Sequence, residues 1–410
     1  MSSRRALFTW TAQHAVAPIA VAGGEGAWFW DSDGKRYLDL ASVVFSANAG
    51  WQQPAILAAM HAQVDELALA GPAMEPAVRE RAAAALARHL PAELDRILFT
   101  LGGADANEHA VKVAMLVTGR TKIVCRDRSY HGATFGALTW SGDPRALPLF
   151  PRLPGALRVR DPYCFRCPWA TTPEACSRPC AAEVEAAILE AGPGTIAAVL
   201  METVPGTRGG YFPPADYYAR VREICDRHAV LLILDEVLTG FGRTGTMFAF
   251  EGYGVVPDLV TMGKGITSGH APLGAVAMRR QVAARFDESP LVTGLTHTAH
   301  PLALAALEGN LRAFEEHDLL ARSHDAAALL AAWLGRVRER HGAIVDARSR
   351  GLYACLEFAS GFDAAAVKRR ALADGLHLAA SENRLFVAPP LVISAAELHD
   401  GLERLAPLLS

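Results

Sequence analysis

The sequence predicts an α/β protein, a mostly parallel central sheet covered by helices, with a separate α+β portion towards the C-terminus. Three observations predict it. From residue 96 onward short apolar strands alternate with amphipathic helices, the pattern of parallel strands joined by helical crossovers. Two of those strands stop abruptly at a charged residue, Asp235 and Lys264, where an open α/β sheet gathers its ligands. A glycine-rich turn, Gly102-Gly103, also joins a strand to a helix in this stretch.

Composition narrows the function. A chain of 410 residues, 51% hydrophobic and 20% charged, has room for two or three domains. Its 40 Lys+Arg against 43 Asp+Glu give a net charge of −3, so no concentrated basic surface marks it for nucleic acid. No apolar run approaches the ~18 residues of a membrane span. Seven cysteines are too sparse for a disulfide-built scaffold, and a reducing, cytoplasmic setting follows.

The elements follow in order. Ser3-Arg4-Arg5 with Phe8 resembles the start of an export signal, but Trp10, Gln13, His14 and Pro18 break its apolar core. The first residues therefore read as an arm packed on the body. Residues 24–40 read as a hairpin turning on Asp31-Ser32-Asp33-Gly34. Residues 54–69 and 75–89 have helical periodicity. Strands are expected at 97–100, 123–125, 196–201, 230–234 and 259–262, with helices at 105–117 and 216–228 between them. Helices at 301–315 and 322–341, a strand at 353–358 and a closing helix at 395–408 complete the chain. The expected division is an N-terminal arm and hairpin at 1–53, a large domain at 54–300 and a C-terminal α+β domain at 301–410.

The chemistry concentrates at strand ends. Asp235 closes the buried run Leu231-Leu232-Ile233-Leu234, so its carboxylate should be desolvated and in need of a partner. Lys264, between Gly263 and Gly265, follows another strand; a desolvated lysine has a lowered pKa and serves as a Schiff-base nucleophile. The plainer reading is a capping aspartate and a surface lysine. Gly102-Gly103-Ala104-Asp105 opens a helix, and its free N–H groups suit a phosphate monoester. Neither nucleotide fingerprint fits that turn. Tyr130, beside His131 and Gly132, could lie flat on a planar ring or simply fill core.

These motifs carry a resemblance. The turn at 102–108, Tyr130-His131-Gly132, and the run from Leu234 to Gly245 (Leu-Asp-Glu-Val-Leu-Thr-Gly-Phe-Gly-Arg-Thr-Gly) occur in that order. Gly263-Lys264-Gly265 with Pro272-Leu273-Gly274, Thr296 with His300-Pro301, and Pro389-Pro390-Leu391 follow. The succession spans residues 24–395 and resembles the class III pyridoxal-phosphate aminotransferases. It is most similar to their taurine and ω-amino acid branch.

The resemblance implies fold type I, with a small domain formed by both chain ends, and a homodimer or dimer of dimers with shared sites. Lys264 would join the cofactor as a Schiff base and shuttle the substrate proton. Asp235 would keep the pyridine nitrogen protonated, which makes the ring an electron sink. Val237 and Tyr130 would cover the two ring faces. Gly103 and Ala104 would hold the phosphate, joined by Thr296 of the neighbouring subunit, and Glu202 would lie near the ring and pair with Arg243. Many members have serine where this chain has Ala104, Leu238 departs from the common residue, and Trp51 replaces a usual histidine. For the substrate, Phe45 matches a pocket aromatic, and Arg384 or Arg243 would receive the keto acid's carboxylate.

The activity implied is transfer of an amino group from a small primary amine to pyruvate or 2-oxoglutarate by a ping-pong mechanism. The donor would be an ω-amino acid, an amino sulfonate such as taurine, β-alanine or a diamine. An aminomutase or decarboxylase on the same scaffold stays open, as does a non-catalytic cofactor-binding protein. Cys164, Cys167, Cys176 and Cys180 have zinc-like spacing; zinc, disulfides and reduced thiols all remain open, and no metal is assigned to the active site.

Overall fold

The computed structural model describes residues 5–144, 153–169, 172, 174–206 and 208–409. Its centre is a seven-stranded sheet. The strands are β4 (Arg96–Thr100), β5 (Lys122–Arg126), β6 (Ala156–Val159), β7 (Ile196–Glu202), β8 (Leu231–Asp235), β9 (Leu259–Met262) and β10 (Gly274–Met278), in the order β4-β10-β9-β8-β7-β5-β6. Every neighbouring pair is parallel except those made by β10, which runs against β4 and β9. All residues of β7, β9 and β10 are buried, as expected of strands covered on both faces.

Two smaller sheets flank it. β1 (Val21–Glu25), β2 (Trp28–Asp31) and β3 (Arg36–Asp39) form a meander whose β3 pairs in parallel with β13 (Leu376–His377) near the other chain end. β11 (Ile344–Arg350), β12 (Tyr353–Phe358), β14 (Ala379–Ser381) and β15 (Arg384–Val387) make an antiparallel sheet. The expected hairpin turn is present: Asp31 accepts from the N–H groups of Asp33 and Lys35, and Gly34 takes φ 80°.

The helices near 54–69, 75–89, 105–117 and 301–315 are found at Pro54–Glu66, Ala77–Ala87, Gly103–Thr118 and Pro301–Glu316. Pro301–Glu316 crosses Pro54–Glu66 closely: a Cβ at Gly309 would meet the Ala55 carbonyl at 2.6 Å, so only glycine permits the contact. β6, β10 and β11 carry no sequence signal strong enough to place them beforehand. The N-terminal arm differs from its expectation. Leu7 and Trp10 are 79% and 59% exposed. No helix among the described residues is long and apolar enough to cross a membrane.

Candidate active site

β4, β5, β7, β8 and β9 all end on one side of the sheet, and their ends supply the site. The helix Gly103–Thr118 starts there. Its first bond runs from the Ala106 N–H to the Gly102 carbonyl, so the N–H groups of residues 103–105 have no partner within the helix. Val237 packs against this turn: a Cβ at Gly103 would fall 2.6 Å from a Val237 methyl. A Cβ at Gly263 would lie 3.1 Å from the Gly103 backbone, so Lys264 emerges directly beside the helix N-terminus. Lys264 itself takes φ 41°, a left-handed conformation that is costly for a side chain with a Cβ.

Asp235 is 4% exposed, and its carboxylate is amply supplied with donors. His131 Nδ1 lies 2.8 Å from Oδ2, Asn107 Nδ2 donates to the same oxygen at 2.8 Å, and the Val237 N–H donates to Oδ1 at 2.9 Å. Asn107 is itself fixed, donating to the His131 carbonyl and accepting from the Thr261 hydroxyl at 2.7 Å. These three contacts leave room for one more donor on Oδ1. His131, Asn107 and Thr261 were not anticipated as site residues. The sequence signals for Asn107 are its place in the 102–108 motif and a polar residue on the buried face of an apolar helix.

Glu202 ends β7 with its side chain accepting from the N–H groups of Tyr130 and Gly206, both at 2.9 Å. Burial, and then the nearby Asp235 charge, push its carboxyl up to about 7 against the pull of His131. The expected pair with Arg243 is absent. Arg243 is wholly buried, donating instead to the carbonyls of Leu352 and Pro389 and to the side chains of Ser42 and Asn48. Each residue thus has its own set of partners.

Gly103, Ala104, Tyr130, Val237 and Lys264 are each half-buried, whereas Asp235 is buried. Phe45 is buried edge-on against Tyr353 and Phe386, with centroids at 6.0 and 6.1 Å. Thr296 lies exposed on a turn. Arg384 does not serve as a free cation: it is 4% exposed and ion-paired with Glu382 at 2.6 Å and Glu357 at 3.4 Å. Cys164, Cys167, Cys176 and Cys180 are free thiols lining one enclosed cavity, and burial pushes Cys180 up to about 12. No group of three or more His, Cys, Asp or Glu among the described residues is placed to hold a metal.

An amine beside an anion-binding helix end, with a carboxylate of one open acceptor at the end of the adjacent strand, fits a phosphorylated pyridine aldehyde in charge and polarity. The model of the class III aminotransferases matches residues 10–409. An omega-aminotransferase of Caulobacter vibrioides is 33% identical across 96% of this chain and 93% of that protein. A leucine/methionine racemase of Thermococcus litoralis is 31% identical across 97% and 92%. The structure of taurine:2-oxoglutarate aminotransferase from Bifidobacterium kashiwanohense, in complex with PLP and glutamate, matches with a TM-score of 0.93 at 32% identity, over 98% of this chain and 94% of that one. The folds correspond as fold type I transaminases. Site and sequence thus agree over nearly the whole length: the chain belongs to the class III aminotransferases, and its cofactor is pyridoxal phosphate.

Proposed function

We propose that this enzyme moves the amino group of a small primary amine to pyruvate or 2-oxoglutarate by a ping-pong sequence. The preferred donors are ω-amino acids or amino sulfonates such as β-alanine or taurine, and diamines. The observation that carries the reading is Lys264 beside the helix N-terminus at Gly103, with Asp235 at the end of the adjacent strand and fixed by His131 and Asn107. Similarity to the omega-aminotransferase and to the taurine:2-oxoglutarate enzyme supports the substrate class.

Pyridoxal phosphate, when bound, supplies an aldehyde that captures amines and a ring that draws negative charge off the adjoining carbon. The chain supplies the rest. The N–H groups at Gly103 and Ala104 would hold the phosphate, and Val237 and Tyr130 would confine the ring. Asp235, oriented by His131 and Asn107, would keep a proton on the ring nitrogen. Lys264 Nζ would take and return the proton on the substrate's amine-bearing carbon as general base and acid. Glu202 would fix Tyr130 through its backbone N–H.

Thr296 is exposed in the single chain, as are Leu7 and Trp10, which supports a homodimer in which Thr296 reaches the partner's phosphate site. A reducing, cytoplasmic setting agrees with the free thiols. The arm at 1–53, the body at 54–300 and the part from 301 onward would form the domains.

The test is direct. Cofactor-loaded protein is incubated with a panel of amines and either keto acid, and the new amino acid is measured. Transfer that is lost in Lys264→Ala, together with the borohydride-fixed cofactor, supports the proposal. Absence of transfer with every pair would refute it. The racemase relative gives a second reading, which inversion of a chiral amino acid without any keto acid would favour.

A further inference from the structure

Residues 42–45 form the most strained stretch near the site. Ser42, Val43 and Phe45 take φ values of 44°, 64° and 63°, and Val43 has ψ −86°. A branched or bulky residue rarely enters this region, and each instance must be held there by its surroundings. The surroundings are unusually explicit. Buried Asp39 accepts from the N–H groups of Ala41 at 3.1 Å and Val43 at 2.8 Å. The Ser42 hydroxyl donates to the Ala388 carbonyl at 2.6 Å and accepts from Arg243 Nη2 at 3.0 Å.

Arg243 is the common holder. Its Nη1 donates to the carbonyls of Leu352 at 3.1 Å and Pro389 at 2.6 Å, and its Nη2 also donates to Asn48 Oδ1 at 2.7 Å. No carboxylate is among these acceptors, and burial pulls the guanidinium down to about 10. A buried cation spent wholly on carbonyls and neutral side chains is costly, and here it joins three segments of the chain. Asn48 passes the connection on. Its Nδ2 donates to the Phe241 carbonyl at 2.7 Å, and a Cβ at Gly265 would meet that nitrogen at 2.6 Å. The chain of contacts therefore ends one residue from Lys264.

We infer that Arg243 is a positioning residue for the amine pocket: it holds the strained turn 42–45, fixes Phe45 against Tyr353 and Phe386, and so sets which amines fit beside Lys264. The guanidinium cannot also receive a substrate carboxylate, because it is fully enclosed. The inference rests on the reading of the Lys264 opening as the amine site.

Two variants of the cofactor-loaded enzyme test it. Arg243→Lys keeps the charge but cannot reach four acceptors. Val43→Gly relieves the strained φ at a side chain that is 38% exposed, so folding is preserved. The first readout is the ratio of kcat/KM for β-alanine to that for 1-phenylethylamine. The second is amide hydrogen exchange over residues 41–49, which needs no turnover. Arg243→Lys is expected to speed that exchange about tenfold and to lower the ratio about tenfold. In a Phe45→Ala background it should change the ratio less than about twofold, since coupled residues are not additive. Val43→Gly, which lowers the strain to be held, should reduce the effect of Arg243→Lys on both readouts when the two are combined. Unchanged exchange in Arg243→Lys, or an equal slowing of both amines, would overturn the inference. If the wild type turns over no amine, the functional reading has failed, and exchange alone still decides whether Arg243 holds the turn.

Discussion

His131 Nδ1 lies 2.8 Å from Asp235 Oδ2, and the opposite ring nitrogen, Nε2, is buried without a hydrogen-bond partner. The acceptor on one side fixes the tautomer: Nδ1 carries the proton and donates it to the carboxylate. A hydrogen bond to a charged group is worth about 1.5–3 kcal/mol. His131→Phe is therefore expected to slow amine transfer about 10- to 100-fold. It should also move the pH titration of the bound cofactor's absorbance, which a purely structural loss would leave in place.

Gly103→Ala would drive a methyl group into Val237, whose own methyl is 2.6 Å from the new atom. Either the helix end or the valine must give way. Overpacking of this kind costs about 1–3 kcal/mol. Cofactor affinity, measured by equilibrium dialysis, should fall together with thermal stability, whereas Val237→Ala in the same chain should restore part of both.

Glu202 gives a pH signature. Its carboxyl is raised from its ordinary value to about 7, so the folded state holds the proton more tightly than the unfolded chain does. Its contribution to stability is full below the unfolded value of 4.5 and is lost as pH rises through about 7. Melting temperatures at pH 5 and pH 8 should therefore differ less in Glu202→Gln than in wild type. An unchanged difference would assign the pH dependence to other groups.

Arg384 makes a contrasting prediction. Its ion pairs with Glu357 and Glu382 tie β15 to β12, and Glu357 is held down to about 2 by the hydroxyl of Tyr163 and the arginines Arg348 and Arg384. Arg384→Ala leaves part of a buried carboxylate's compensation missing, a loss of about 3 kcal/mol in stability. The KM for pyruvate or 2-oxoglutarate should stay within about twofold, a margin under 0.5 kcal/mol. A selective rise in that KM would return Arg384 to the substrate.

Strand ends were legible because burial on both faces makes β7, β8 and β9 read as apolar runs that stop at Glu202, Asp235 and Lys264. The helix at Gly103 was legible for another reason, a turn that only glycine permits. β10 was not, since Gly274-Ala275-Val276-Ala277-Met278 lacks both alternation and charge. Nor were the partners of charged residues: sequence order says nothing of whether Glu202 meets Arg243 or two backbone N–H groups. Arg384 looked available because its carboxylates, Glu357 and Glu382, lie on a neighbouring strand and a hairpin turn. Local spacing reveals which side chains need partners, and only packing reveals which ones they find.

The lone reversed strand in the central sheet also limits where the molecule can be lengthened. Because β10 runs back beside β4, the chain must return from Lys264 to Gly274 along the catalytic rim, and Gly274 is pressed against the Gly102 carbonyl there. Any segment grafted into that return would push on the reactive amine and the phosphate-facing turn together. The far rim has no such coupling: Gly119, φ 69°, faces open space. Tags or loop libraries belong there.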